Sequence, residues 1–246
     1  MLNRIVAILP AAGSGTRMGA DTPKQFLELD GLPLVQFTLR RLAQCADITE
    51  FLIPTRAEEA DALRVRLERE SIGRPVRVLA GGNSRQDSVA VALAEVPRDA
   101  EIILVHDAVR PLVKREQIDR VIAEARACGA AILGVPALDT VKEVKRASLP
   151  GDVALITATI PRERVVLAQT PQAFHATLLI EAFARARQEG ITASDEAGLV
   201  ERLGHDVHVV LGSERNLKIT RPGDMELARF YLDQERAPQR SAARDK

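Results

Sequence analysis

A guanidinium and an ammonium flank a run of small residues near the amino terminus. Arg17 lies within Pro10-Ala11-Ala12-Gly13-Ser14-Gly15-Thr16-Arg17-Met18-Gly19, and Lys24 follows in Pro23-Lys24-Gln25. Small residues let backbone N–H groups come close to an anion, and two cations beside them suit a phosphorylated ligand. A glycine turn that served the fold alone would not require that pair. The spacing differs from two common phosphate loops. The third glycine of the dinucleotide pattern G-x-G-x-x-G falls one place late, at Gly19, and no G-K-[ST] follows four spacer residues. A nicotinamide site and a P-loop mechanism therefore find no support.

Other reactive side chains have weaker claims. His106 ends an apolar run, and strand alternation turns it away from its neighbour Asp107, which predicts a buried, hydrogen-bonded ring. His175, His205 and His208 have no carboxylate or cysteine partner at ligand spacing along the chain. Asp195-Glu196 precedes an apolar stretch and reads as a helix cap. Cys45 and Cys128 each lie in a stretch read as helix, outside any C-x-x-C group, and are expected to be free thiols of a reducing compartment.

These residues need a scaffold, and the hydrophobic pattern supplies one. Short β-branched or leucine-rich runs alternate with amphipathic stretches, which predicts parallel strands joined by crossover helices. Strands are expected at residues 5–9, 50–53, 76–79, 102–106, 131–135, 207–211 and 217–220. Helices are expected at 34–45, 57–70, 86–94, 116–127, 178–188, 196–203 and from Pro222 to about Gln234. The fold class is α/β, Rossmann-like, with a mostly parallel central sheet flanked by helices. In such a sheet the glycine loop leaves the carboxyl end of the first strand, where ligands are expected. One domain over residues 1–236 is predicted, with 237–246 as a flexible tail. Between Asp139 and Arg164 the rhythm breaks, and two readings stand: a solvated loop, or a protruding β-arm that packs on a second subunit.

Composition sets limits on partners. Lys plus Arg and Asp plus Glu number 34 each, so the whole chain has no field to collect nucleic acid or an anionic membrane. Trp is absent, and one Tyr and six Phe leave few platforms for stacking bases. The apolar run after Arg4 is too short to span a bilayer. A cytoplasmic protein is expected, with any anion site built locally.

The glycine loop with Pro23-Lys24-Gln25 resembles the signature of sugar-nucleotide and polyol-phosphate nucleotidylyltransferases. Further segments are similar to one family, the methylerythritol phosphate cytidylyltransferases. These are Gly81-Gly82 with Arg85-Gln86-Asp87-Ser88-Val89, Val105-His106-Asp107-Ala108-Val109-Arg110-Pro111, Asp139-Thr140, Thr170-Pro171-Gln172, Asp195-Glu196-Ala197 and Lys218-Ile219-Thr220-Arg221-Pro222. The likeness runs from about Ile5 to Leu232. It implies Mg²⁺-dependent transfer of CMP from CTP to a polyol phosphate, expected to be 2-C-methyl-D-erythritol 4-phosphate, in isoprenoid precursor synthesis. Ribitol 5-phosphate as acceptor, and a catalytically silent nucleotide sensor on the same fold, are the alternatives.

By the same resemblance, Arg17 and Lys24 grip the triphosphate and its transition state, and Lys218 meets the phosphates from the far side. Ala11, Ala12, Gly13, Ser14, Gly15, Gly81, Gly82 and Ser88 border the nucleotide. Asn83 joins them where the family often has Asp, and its carbonyl still offers cytosine an acceptor. Asp107 is implied as a ligand of Mg²⁺ and of the substrate. The acceptor is placed against Arg110, Thr140, Thr170 and Thr220, with Arg162 reaching in from the partner's arm in a homodimer. Fusion to a further enzyme occurs in this family, and over these 246 residues none is expected.

Overall fold

The computed structural model describes residues 4–13, 23–145 and 154–244. In chain order the strands are β1 (Arg4–Ile8), β2 (Glu28–Leu29), β3 (Leu32–Pro33), β4 (Ile48–Thr55), β5 (Val76–Ala80), β6 (Ala100–Val105), β7 (Ala130–Pro136), β8 (Val141–Lys145), β9 (Leu155–Ile160), β10 (Val166–His175) and β11 (His208–Leu211). The helices are α1 (Leu34–Leu42), α2 (Ala57–Glu68), α3 (Arg85–Ala94), α4 (Arg115–Cys128), α5 (Ala176–Glu189), α6 (Glu196–Arg202) and α7 (Pro222–Arg244).

The central sheet has the order β11-β7-β10-β6-β1-β4-β5. Only β10 runs antiparallel to its neighbours, β6 and β7; the other pairs are parallel. Both faces of β1 are buried, which is why it reads as an uninterrupted apolar run. Ile5, Ala7 and Leu9 enter one hydrophobic cluster with α1, α2 and α4 residues such as Leu39, Leu63 and Ile118. Val6 and Ile8 enter the opposite one, with Val89 of α3, Leu179 of α5 and Val200 of α6.

Helix α4 shows how the pattern becomes structure. Ile118, Val121, Ile122 and Ala125 recur on one face and are at most 1% exposed. Burying each of the larger side chains is worth about 1.5–3 kcal/mol. The helix stops at Gly129, whose φ of 93° is left-handed backbone that a side chain would oppose. Helix α3 begins with a capping box in which Ser84 accepts from Asp87 N and Asp87 accepts from Ser84 N. Such a cap contributes about 0.5–2 kcal/mol.

Several expectations need correction. Residues 217–220 are not a strand but irregular chain, attached where Ile219 N donates to Val109 O. The ten-residue β10 went unread, because Gln169, Thr170, Pro171 and Gln172 interrupt its apolar pattern; it is positioned by pairing with β6 and β7. Helix α7 continues past Gln234, and the residues from Ala237, expected as a flexible tail, carry it to Arg244. Cys45 lies beyond the end of α1 and is buried. The excursion after Asp139 is a hairpin, β8 against β9, forming its own two-stranded sheet with every residue of β9 exposed.

Candidate active site

The chain leaves β1 to build β4 and β5 on one side, then returns to place β6 on the other. The carboxyl ends of β1 and β6 therefore border the switch point of the sheet, where strand connections diverge and leave a crevice. The glycine loop follows β1, and His106-Asp107 follows β6. Because β10 is antiparallel, its amino-terminal half brings Thr170 to the same edge.

Asp107 is the centre of the arrangement. Its Oδ1 accepts from Arg85 Nε at 3.0 Å, and its Oδ2 lies 2.9 Å from Lys218 Nζ and 3.5 Å from Arg110 Nε. Burial alone would raise this carboxyl, but Arg85, Lys218 and Arg110 hold it far below the usual carboxylate range. Glu196, 1% exposed, accepts two hydrogen bonds from Arg85, at 2.7 and 2.9 Å. Burial raises the Glu196 pKa, with Arg85 opposing the rise. Burial likewise disfavours the Arg85 charge, but Glu196 and Asp107 outweigh that and raise its pKa. Three cations thus face two carboxylates, a surplus of positive charge aimed at an anionic ligand.

A buried polar chain supports Asp107 from behind. His106, fully buried, has Nε2 3.1 Å from Arg110 O and Nδ1 3.0 Å from Thr170 Oγ1. A carbonyl can only accept, so Nε2 carries the proton and Nδ1 accepts from the Thr170 hydroxyl. Thr170 Oγ1 in turn accepts from Asp107 N at 3.0 Å. Burial pushes the His106 pKa down to about 4, so the ring is neutral at pH 7. The buried histidine expected from strand alternation is present. Asn216, also fully buried, accepts from Arg110 Nη1 through its backbone carbonyl at 2.7 Å and donates to Thr170 O at 2.8 Å.

Across the switch point, residues expected to border a nucleotide converge. A Cβ added to Gly81 would lie 2.9 Å from Ser88 Oγ and 3.1 Å from Ala12 Cβ, so these three residues touch. Gly82 N donates to Ser88 Oγ at 3.2 Å, while a Cβ on Gly82 would come within 2.3 Å of Asp87 Cβ. Ala11 N is tied to Pro54 O at 2.8 Å, which continues the β1–β4 pairing into the loop. Lys24 opens a one-turn helix, and its Cε lies 3.9 Å from where a Gly13 Cβ would sit. Ser14, Gly15 and Arg17 lie outside the described residues. Asn83 is exposed at the turn before α3.

The residues expected at the acceptor divide. Arg110 and Thr170 join the Asp107 cluster, with the Thr170 hydroxyl engaged inside the protein. Thr220 donates its hydroxyl to Asp224 Oδ2 at 2.9 Å, at the start of α7. Thr140 is exposed beside the arm, and Arg162 Nη1 donates to Leu138 O at 2.6 Å at its foot. Sequence reasoning gave no role to Arg85 or Asn216 and read Glu196 only as part of a helix cap, a part that Asp195 plays by accepting from Gly198 N at 3.1 Å. Arg85 and Glu196 stood inside quoted motifs, but pairing residues 111 positions apart has no local signal.

A hard divalent cation is compatible with this site on one condition. Asp107 is ionised, but Arg85 and Lys218 already engage its two oxygens. The cluster would repel a bare ion, whereas an ion carried by a triphosphate takes most of its ligands from phosphate oxygens and needs one protein carboxylate. The residues fit that case.

A family model described as 2-C-methyl-D-erythritol 4-phosphate cytidylyltransferase matches residues 5–234. A protein so named from Acidobacterium capsulatum is 51% identical over 94% of this chain and 98% of its own length. Another from Solibacter usitatus is 47% identical over 95% and 98% respectively. Among solved structures, the 2-C-methyl-D-erythritol 4-phosphate cytidylyltransferase of Thermus thermophilus superposes with a TM-score of 0.72 at 36% identity, covering 92% of this chain and 97% of that one. The 4-diphosphocytidyl-2C-methyl-D-erythritol synthase of Anaerococcus prevotii gives 0.81 at 28% identity, covering 95% and 100%.

Proposed function

The chain belongs to the 2-C-methyl-D-erythritol 4-phosphate cytidylyltransferase family, and from that premise we infer that it transfers CMP from CTP to the phosphate of 2-C-methyl-D-erythritol 4-phosphate. The products are 4-diphosphocytidyl-2-C-methyl-D-erythritol and pyrophosphate. The observation that carries the site assignment is the ring of Arg85, Arg110 and Lys218 on Asp107 at the sheet's switch point.

The nucleophile is a phosphate oxygen, already anionic near neutral pH because a phosphomonoester's second pKa is about 6. A general base is unnecessary, which agrees with a buried neutral His106 turned into the protein. The barrier is the repulsion of two polyanions and the further charge at the five-coordinate phosphorus. Lys24, Arg17 and Lys218 are assigned to the triphosphate and its transition state, Arg110 to the acceptor phosphate. Asp107 keeps Lys218 and Arg110 together while the site is empty of anions. As phosphates arrive they replace it as partner of Lys218, which frees a carboxylate oxygen. Mg²⁺, held there by Asp107 and the phosphates, would supply further charge stabilisation. Ala11, Ala12, Gly81, Gly82 and Ser88 enclose the base, with small residues where a Cβ would close the pocket.

Purified protein incubated with CTP, Mg²⁺ and either 2-C-methyl-D-erythritol 4-phosphate or ribitol 5-phosphate tests this reading. Pyrophosphate release with the first acceptor is expected. Turnover of ribitol 5-phosphate alone overturns the acceptor assignment, and no release with either overturns the enzyme assignment.

The arm is assigned to a homodimer. Leu155, Ile156 and Ile160 of β9, with Val144 of β8, are exposed on it, more apolar surface than an arm immersed in water favours. Light scattering is expected to give twice the chain mass, and a monomer at working concentration removes Arg162 from the site. No helix among the described residues is long and apolar enough to cross a membrane.

A further inference from the structure

The spacing of residues around His208 gave it no metal-ligand role, yet folding brings Glu124 and Cys128 beside it. Its Nδ1 lies 2.7 Å from Glu124 Oε1, and one ligand atom each from His208, Glu124 and Cys128 all fall within 4.8 Å of one another. Glu124 and Cys128 are one helical turn apart on α4, so they share a face. The third group is set by short-range geometry. Helix α4 ends at Cys128, Gly129 reverses the chain into β7, and Ala131 of β7 is the register partner of His208. The helix end and the edge strand β11 are therefore held at fixed separation, with a groove between them that Arg120 also lines.

We propose that Glu124, Cys128 and His208 form a binding site for a zinc-type divalent cation, distinct from the Mg²⁺ of the transfer reaction. A carboxylate, a thiolate and an imidazole are the donor set for such an ion, and a hard cation such as Mg²⁺ does not favour sulfur or nitrogen. Zn–S of about 2.3 Å and Zn–N or Zn–O of about 2.0–2.1 Å place tetrahedral ligands roughly 3.3–3.6 Å apart. The groups reach that by a slight opening of the His208–Glu124 contact and an approach of the sulfur from within 4.8 Å. Two of the groups are half exposed, which leaves water for the fourth position. The Cys128 thiol donates to Glu124 O and Ala130 O, at 3.0 and 3.2 Å, at the negative end of the α4 dipole; these oxygens favour a cation and oppose a bare thiolate, so the thiol releases its proton to water as the ion binds. Arg120 opposes binding, but thiolate and carboxylate outnumber it.

Such an ion would clamp α4 to β11. Strand β11 runs directly into the segment that delivers Asn216 and Lys218 to the Asp107 cluster, so the clamp anchors the base of that segment.

The full chain, stripped of metal, is titrated with Co²⁺ as a spectroscopic stand-in and then with Zn²⁺. The expected result is a thiolate-to-cobalt charge-transfer band with tetrahedral d–d bands, abolished by Zn²⁺. Zn²⁺ affinity should fall by more than about 100-fold in Cys128→Ser and in His208→Ala, since loss of a supporting group alone costs about 10–100-fold. Zn²⁺ should raise the Tm of the parent protein and leave that of Cys128→Ser unmoved, while Cys128→Ser retains cytidylyl transfer with Mg²⁺. A cobalt spectrum without the thiolate band, or Zn²⁺ affinity unchanged in Cys128→Ser, overturns the proposal.

Discussion

Asp107→Asn separates the electrostatic reading of the site from a merely structural one. The substitution keeps the shape of the side chain and leaves Arg85, Arg110 and Lys218 around a neutral amide. Removing one partner of a buried ion pair costs about 3–5 kcal/mol. Lys218 is 36% exposed at its side chain against 11% for Arg110 and 29% for Arg85, so water screens it most and its share is smallest. The expectation therefore sits at the low end, about 3 kcal/mol. At roughly 2–4 °C per kcal/mol for a chain of this size, the ligand-free variant should melt about 6–12 °C lower. Pyrophosphate or CTP returns negative charge to the same cations, so the ligand-induced rise in Tm should be larger in the variant than in the parent. Catalysis should still fall, because the cations lose their alignment and the proposed Mg²⁺ site its carboxylate; kcat/KM is expected to drop about 10²-fold or more. Thermal melts with and without pyrophosphate, beside a pyrophosphate-release assay, measure all three quantities. A ligand-free Tm within about 2 °C of the parent, with an equal ligand shift, would refute the reasoning.

Lys24→Ala should reduce kcat by about 10²-fold or more, read in the same release assay. Glu196→Gln leaves Arg85 with a single anionic partner, so Tm should fall and KM for CTP or the acceptor should rise; a variant indistinguishable from the parent would mean that Arg85 needs no second anchor. Gly82→Ala forces a Cβ against Asp87, so the start of α3 must shift, at about 1–3 kcal/mol and with a raised KM for CTP. The pH dependence follows from His106, whose folded pKa near 4 lies below its ordinary value of about 6.5. The unfolded chain takes up this proton first. The resulting stability is complete above pH 6.5 and is lost as pH falls toward 4, by up to about 3 kcal/mol. Urea midpoints across that window should fall in the parent and fall less in His106→Gln. The Asp107 carboxylate, with its pKa depressed, adds a loss that begins as pH falls into the ordinary carboxylate range, where the unfolded chain takes up that proton, and continues below it.

Much of this molecule was legible before any coordinates. Runs such as Ile5-Val6-Ala7-Ile8 and the period of Ile118, Val121, Ile122 and Ala125 specify strand and helix locally, because burial on two faces or one stripe leaves a direct mark on composition. The glycine loop, Lys24 and Asp107 were recognisable because their chemistry is carried by short segments. The resemblance that named the family is borne out by the matched model and the relatives. Strand β10 was not legible, since its middle residues serve the site instead of the core and read as loop. Neither was the irregular course of residues 217–220, where Lys218 and Thr220 answer to Asp107 and Asp224.

By itself, then, the sequence determined most of the elements, their class and the expectation of an anion at the glycine loop, all of which depend on neighbours a few positions apart. Tertiary structure alone decided which charges face one another: Arg85 with Glu196 and Asp107, Lys218 with Asp107, His208 with Glu124 and Cys128. Those partners are separated by long stretches of chain, and only the strand order of the sheet brings them within reach, where the force between charges depends on distance in space and not along the backbone.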